Sequence, residues 1–244
     1  MSAQNNPAKP HISFVIYENM YALDFLGPAS VLTAMGLFDV DYVARSLDPV
    51  YGDTAANKKL GYLPTAAYAD ISQTDIICVP GTTNPYIHMR DDDMIGWLET
   101  VGKNAQWITS VCTGSLILGA AGLLKGYKAT SHWYSVEDLA YVGAEPVFER
   151  VVRDRNRVTG AGVTSGIDFG LTLLAILRGE EEAKNAQLYI EYDPAPPFVG
   201  GSVKSDPARA DGMRQFIEVW EQENIPYARE TLENVAKRLG VANP

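Results

Sequence analysis

The chain has 244 residues, 46% of them hydrophobic, with a formal net charge of −10 at pH 7 and a sequence pI of about 4.8. That length supports one large core or two small ones, one α/β domain with a tail being the simpler reading, while the acidic balance shows no basic face for a nucleic acid and disfavours an anionic membrane surface. Two cysteines and three scattered histidines, without a C-x-x-C, provide neither a disulfide framework nor a zinc motif, so no metal is expected, and no apolar run reaches the 18 residues of a membrane span.

Residues 1–10 are polar and read as a loose lead-in with no signal-peptide core, which points to the cytoplasm. Residues 12–17 form a buried strand candidate. The stretch after it enters a helix reaching about Met35, with Pro28 in the tolerant first turn. Asp24 then stands between the end of strand one and a helix start. It is either a helix cap or an acid in a partly dry site, since Phe25 and Leu26 follow it. Residues 40–45 read as a second strand, and 49–53 with 59–63 as a hairpin turning at 54–58.

Residues 75–80 are a near-continuous apolar run, the mark of a central parallel strand covered on both faces, with Cys78 as a core residue. The run ends in Gly81-Thr-Thr-Asn-Pro85, a tight turn with exposed N–H groups. A helix over 89–104 follows, its early aspartates placed where the helix dipole favours them.

Residues 106–122 are the stretch on which the chain turns. A short strand over 107–111 meets Cys112 at a sharp turn, and a helix rich in Gly, Ala and Leu starts at once. A cysteine there faces free N–H groups and a helix dipole, both of which favour the thiolate. A turn this tight also lifts the side chain clear of the sheet. The alternative is an inert core thiol, since cysteine is among the most buried residue types.

Further on, 127–131 reads as a strand, 133–141 as a short helix, and 146–152 with 157–159 as a hairpin. Helices follow over 164–177 and 180–192. Residues 192–198 run extended because of their prolines, 199–206 form a Gly/Ser loop, and 207–240 carry one or two amphipathic helices broken near Pro226.

This alternation implies an open, mostly parallel sheet with helices on both faces. Neither a G-x-G-x-x-G nor a P-loop motif is placed to bind a nucleotide, so no cofactor is expected. Ligands of such sheets bind beyond the carboxyl ends of the strands. Three of those ends carry Asp24, Gly81 to Asn84, and Cys112 to Gly114. The fold type therefore gathers a thiol, a carboxyl and backbone N–H donors at one crest. Thr113, not histidine, follows Cys112, which leaves a Cys–His acyl-transfer pair poorly supported. His132, after a strand and before a helix, reads as a structural or capping residue, with lining the pocket at a distance as the alternative.

The chain resembles the DJ-1/PfpI superfamily over residues 12–201. The resemblance rests on Leu23-Asp-Phe-Leu-Gly-Pro28, Ile77-Cys-Val-Pro-Gly81, Thr109-Ser-Val-Cys-Thr-Gly-Ser115, Ala129-Thr-Ser-His-Trp133, Glu149-Arg-Val-Val-Arg-Asp154, Gly166-Ile-Asp-Phe169 and Glu191-Tyr-Asp-Pro-Ala-Pro-Pro197. It implies a flavodoxin-like three-layer sandwich, a homodimer, and Cys112 as nucleophile. Residues 202–244 are left as a helical extension packing on the core or on a dimer partner.

Within the superfamily the chain is most similar to the isocyanide hydratases, which carry an aspartate where Asp24 falls and a threonine where Thr113 falls. That likeness implies addition of water to a small-molecule isocyanide, giving an N-formamide through a cysteine thioimidate. Asp24 would relay the proton and Thr113 would orient the thiolate. Backbone at Gly81, Thr82, Thr113 and Gly114 would orient substrate, with Tyr17, Phe25, Trp133 and His132 as candidates for the pocket wall. Another cysteine enzyme of this scaffold, glyoxalase-like or deglycase, and a non-catalytic redox sensor or ligand-binding protein are the rival readings. In place of the superfamily's Pro-Gly-Gly-Thr-Gly turn the chain has Pro80-Gly-Thr-Thr-Asn84, and Thr82 would be strained if that position needs a positive φ.

Overall fold

The computed structural model describes residues 9–52 and 60–242, so the turn expected at 54–58 and most of the lead-in lie outside the described residues. Strand β1 (His11–Val15) leads to helix α1 (Ala22–Thr33) and strand β2 (Asp39–Ala44). Strands β3 (Val50–Tyr51) and β4 (Gly61–Tyr62) pair antiparallel as the expected hairpin. Strand β5 (Ala66–Ala67) was not expected; two residues are too few to show an alternation.

Strand β6 (Ile76–Val79) is buried along its whole length. The helix expected over 89–104 forms as α3 (Asp92–Gly102), and a short helix that was not expected, α2 (Pro85–Met89), precedes it. The late start of α3 has its cause at Asp91. The Asp91 carboxylate accepts the Met94 N–H at 3.0 Å as an N-cap and is also held by Arg45 at 2.7 Å.

Strand β7 (Trp107–Val111) and helix α4 (Gly114–Ala120) flank Cys112. Strands β8 (Lys128–Ala129) and β9 (Glu145–Pro146) make a small parallel ladder. Between them a 3-10 stretch, Glu137–Val142, takes the place of the helix expected over 133–141, and it ends on Gly143 at φ 75°. Strands β10 (Val151–Asp154) and β11 (Arg157–Gly160) form the expected hairpin, though β10 starts later than the expected 146. Helices α5 (Ser165–Arg178), α6 (Glu180–Tyr189), α7 (Pro207–Asn224) and α8 (Ala228–Leu239) complete the chain, α7 and α8 being separated at Pro226 as expected.

The main sheet runs β10-β11-β7-β6-β1-β2-β5, parallel throughout except for β10. Helices α1, α5 and α6 pack together, as do α2, α3, α4 and α8, giving helical layers around a central sheet. Ile12, Phe14, Ile76, Ile77 and Ile108 are buried in the strands, which is why those strands read as apolar runs without alternation. Pro28 lies inside α1 and not in its first turn. It packs on α5 where a Cβ on Gly170 would come within 3.1 Å of the Pro28 Cα, so α5 carries glycine there. Helix α8 is pinned by buried Leu232, Val235 and Ala236.

Candidate active site

Strands β7, β6 and β1 are neighbours in the sheet, and the chain's progression reverses between β6 and β1. Such a switch point opens a crevice beyond the carboxyl ends of the strands. The three segments leaving those ends are laced together there. The Tyr21 N–H donates to the Gly81 carbonyl at 2.8 Å, and the Gly81 N–H donates to Asp24 Oδ2 at 2.9 Å. The Thr82 N–H donates to Thr113 Oγ1 at 2.9 Å, and the Thr113 hydroxyl donates back to the Thr82 carbonyl at 2.7 Å. Thr82 is not among the positive-φ residues, so its β-branched side chain sits without strain, and its hydroxyl donates to the Asn19 carbonyl at 2.7 Å.

This lacing leaves no room for side chains at two points. A Cβ on Gly81 would lie 2.6 Å from the Thr113 nitrogen, and one on Gly114 would lie 2.6 Å from the Pro80 carbonyl oxygen. Glycine at 81 and 114 is what lets the two turns touch.

Cys112 stands at the junction with φ 59°, a left-handed backbone that a non-glycine residue adopts at a cost of about 1–2 kcal/mol. The surrounding hydrogen bonds hold it there. Its N–H donates to the Gly160 carbonyl at 2.9 Å, and its carbonyl accepts from the hydroxyls of Ser115 at 3.0 Å and Ser131 at 3.2 Å. The side chain is only 2% exposed, yet it lines a cavity of about 320 Å³, at the small end of the range for small-molecule pockets.

Asp24 was expected at the end of strand one; it lies in the first turn of α1, turned inward and fully buried. Burial pushes its carboxyl up from 3.8 to about 7, opposed by the Gly81 N–H and by the neighbouring Cys112 thiol. Its Oδ1 is buried without a hydrogen-bond partner among the described residues.

The expected depression of the Cys112 pKa is not found. Burial, and then the negative charge of Asp24, push the thiol well above its ordinary value, and the Thr113 N–H only partly offsets them. The resting pair is a thiol beside a carboxyl that titrates near neutrality. Seven-residue α4 is too short a dipole to outweigh desolvation of the sulfur.

Cys112, Thr113, Thr82 and His132 line the cavity. His132 is held neutral by burial, its pKa lowered to about 4. The other expected wall residues lie elsewhere. Tyr17 is buried behind the site, donating to the Pro80 carbonyl at 2.5 Å and packed on His88 at 4.4 Å between ring centroids. Phe25 is in the core, edge-on to Tyr62 at 5.2 Å. Trp133 is turned away from the cavity that Cys112 lines, toward neighbouring surface clefts near Val203. The backbone donors expected at Gly81 and Thr82 are spent on Asp24 and Thr113.

Part of the cavity lining was not expected from the sequence. Tyr86 reaches it from α2, Tyr134 from the segment after β8, and Trp220 and Glu221 from α7. The available signal was the spacing of half-buried Arg214, Ile217 and Glu221, a helical stripe that mixes apolar and charged side chains. Three motifs of the resemblance meet away from the cavity. Arg150 bonds Asp168 at 2.6 Å, and the Tyr192 hydroxyl donates to the same carboxylate at 3.1 Å, tying the proline-rich segment to α5. No cluster of three or more potential metal ligands occurs among the described residues, and none of their helices is long and apolar enough to cross a membrane.

The chain is similar to known proteins in both sequence and structure. The chain is 43% identical to the isonitrile hydratase of Pseudomonas putida over 197 residues, covering 81% of this chain and 85% of that protein. It is 25% identical over 173 residues to the HTH-type transcriptional regulator CdhR of Pseudomonas aeruginosa, covering 70% of this chain and 51% of the regulator. Among solved structures, a ThiJ/PfpI family protein from Pseudomonas syringae superimposes with a TM-score of 0.83 at 40% identity, over 97% of this chain and 96% of that one. Toxoplasma gondii DJ-1 shares the fold at a TM-score of 0.65 and 19% identity, over 76% of this chain and 100% of that one. With residues 10–176 matching the DJ-1/PfpI family, the chain belongs to that family.

Proposed function

We propose that this chain is an isocyanide hydratase acting in the cytoplasm as a homodimer, with no cofactor. The observation that carries the reading is Cys112, held at a left-handed backbone on a small cavity beside a carboxyl that titrates at about 7. The 43% identity to an isonitrile hydratase over most of both chains supports it.

The reaction needs one soft nucleophile and one proton relay. The single proton of the Cys112–Asp24 pair sits on Asp24 as the sulfur attacks the terminal isocyanide carbon. The S–C bond forms, that carbon takes the proton, and a thioimidate results. Asp24, now ionised, accepts a proton from water as the water oxygen adds to the same carbon, and passes that proton to the nitrogen. The C–S bond then breaks as the new hydroxyl gives its proton back to Asp24, releasing the N-formamide and returning the pair to its one-proton state. The net change is one water added. Asp24 Oδ1, buried and unpartnered among the described residues, is the oxygen free for this relay. The Thr113 N–H steadies the charge on sulfur.

The test is to incubate the protein with an aryl isocyanide and follow formamide by chromatography. Cys112→Ala is expected to abolish turnover with an unchanged fold. A Cys112→Ala variant at full rate would sink the reading. No formamide, together with rapid peroxide oxidation of Cys112, would favour a redox sensor.

A further inference from the structure

The proposed chemistry uses only the Cys112 end of the cavity. The wall formed by Tyr86, Tyr134, Trp220 and Glu221 takes no part in it. Both tyrosine hydroxyls there donate to acidic side chains: Tyr134 to Glu221 Oε2 at 3.1 Å, and Tyr86 to Asp138 Oδ2 at 3.2 Å. A ligand reaching this wall meets ring faces and the Glu221 carboxylate.

Among the described lining residues no positive side chain balances them. Glu221 is the one formally charged carboxylate or ammonium-type side chain in that lining, and His132 is neutral at physiological pH. The nearest cation on α7, Arg214, lies over the rings of Trp133 and Tyr134, 5.4 and 5.8 Å from their centroids, and is not part of the lining. Aromatic faces and a carboxylate in a small, partly dry space attract cations and repel anions.

We propose that this wall, centred on Glu221, selects substrates by charge. The cavity takes isocyanides whose body carries a protonated amine at the end remote from the reacting carbon, and it rejects those with a carboxylate there. This rests on the hydratase reading for the identity of the reacting group, and on the cavity lining alone for the charge preference.

The experiment uses three benzyl isocyanides of one shape, bearing para-aminomethyl, para-hydroxymethyl or para-carboxylate groups. The expected order of kcat/KM is cation, then neutral, then anion, with each step roughly tenfold. Glu221→Gln is expected to shrink the cation-to-anion ratio roughly tenfold, mostly through KM. The three N-formyl products, which need no chemistry, are titrated calorimetrically against the same proteins and are expected to bind in the same order. Equal affinities across that series, or a ratio unmoved by Glu221→Gln, would overturn the charge-selecting wall. Formamides ranked by charge without hydration of any isocyanide would sustain the wall and remove the hydratase reading. The ranking in the unaltered protein needs no variant to fold.

Discussion

At Cys112 backbone strain and chemistry meet. The left-handed φ of 59° positions the sulfur on the cavity, and the side chain that needs this conformation gains nothing from it in stability. Glycine takes the same backbone freely. Cys112→Gly is therefore expected to be more stable than Cys112→Ala by about 1 kcal/mol in urea melts, reversing the usual order of these residues. Two variants of equal stability would mean that φ is relaxed in solution.

The Cys112–Asp24 pair sets the second expectation at this scale. Below about pH 7 the pair holds two protons, on the thiol and on Asp24; above it one proton remains, and that is the form able to present a thiolate to an acid. The kcat/KM for isocyanide hydration is expected to rise through an apparent pKa of about 7 and then level off, and Asp24→Asn should remove that limb along with most of the rate. Stopped assays from about pH 5 to 9 measure it. A limb retained in Asp24→Asn would place the titrating group elsewhere.

Among the elements, the β7–α4 junction is the most demanding. Gly114 in it and Gly81 in the turn it faces act by lacking a side chain: a methyl group at either would press on backbone atoms of the other turn, which cannot swing aside as a side chain can. Gly114→Ala is expected to destabilise the fold by about 2 kcal/mol or more and to cut activity further by moving Cys112. Thermal melts and turnover together check this, and a Gly114→Ala variant with normal melting and rate would show the junction to be pliable. The two C-terminal helices divide the labour. Helix α8 is anchored by Leu232, so Leu232→Ala should cost about 2–4 kcal/mol. Helix α7 has no buried residue and holds the cavity roof through polar and aromatic contacts, including Tyr134 with Glu221.

For the whole molecule, buried titrating groups of opposite kind offset each other. Asp24 and Asp138 are raised to about 7 from 3.8, in both cases first by burial, so the folded state holds protons that the unfolded chain has lost between about pH 4 and 7. For these two, stability falls as pH rises through that window. His88 and His132 are lowered to about 4 from 6.5, again by burial, so the folded state lacks protons that the unfolded chain carries. For these two, stability increases with pH from about 4 to 6.5, and the two slopes oppose each other. Removing one side should expose the other: Asp24→Asn should gain stability relative to the parent as pH rises from about 4 to 7, by at most about 1.4 kcal/mol per pH unit. Urea melts at about pH 5 and 8 measure it, and a constant difference would mean that Asp24 titrates alike in both states.

The order of the parallel elements was legible in the amino-acid sequence, because buried strands advertise themselves as short apolar runs and helices by their spacing and caps. So was the convergence of Asp24, Gly81 and Cys112, since each follows a strand of a parallel sheet and topology alone brings such ends together. What lay beyond local pattern was everything decided by neighbours distant in the chain. Asp91 delayed the start of α3 by capping it, held in place by Arg45 from 46 residues away. Tyr17 and Phe25 were claimed by the core and not by the pocket. The N–H groups of Gly81 and Thr82 were spent on Asp24 and Thr113. Burial reversed the ionisation expected of the sulfur, because desolvation depends on the whole enclosing fold and the helix-dipole argument sees only the next turn. The part of the cavity wall delivered by α7, long after Cys112 in the chain, exists only once the chain has closed on itself.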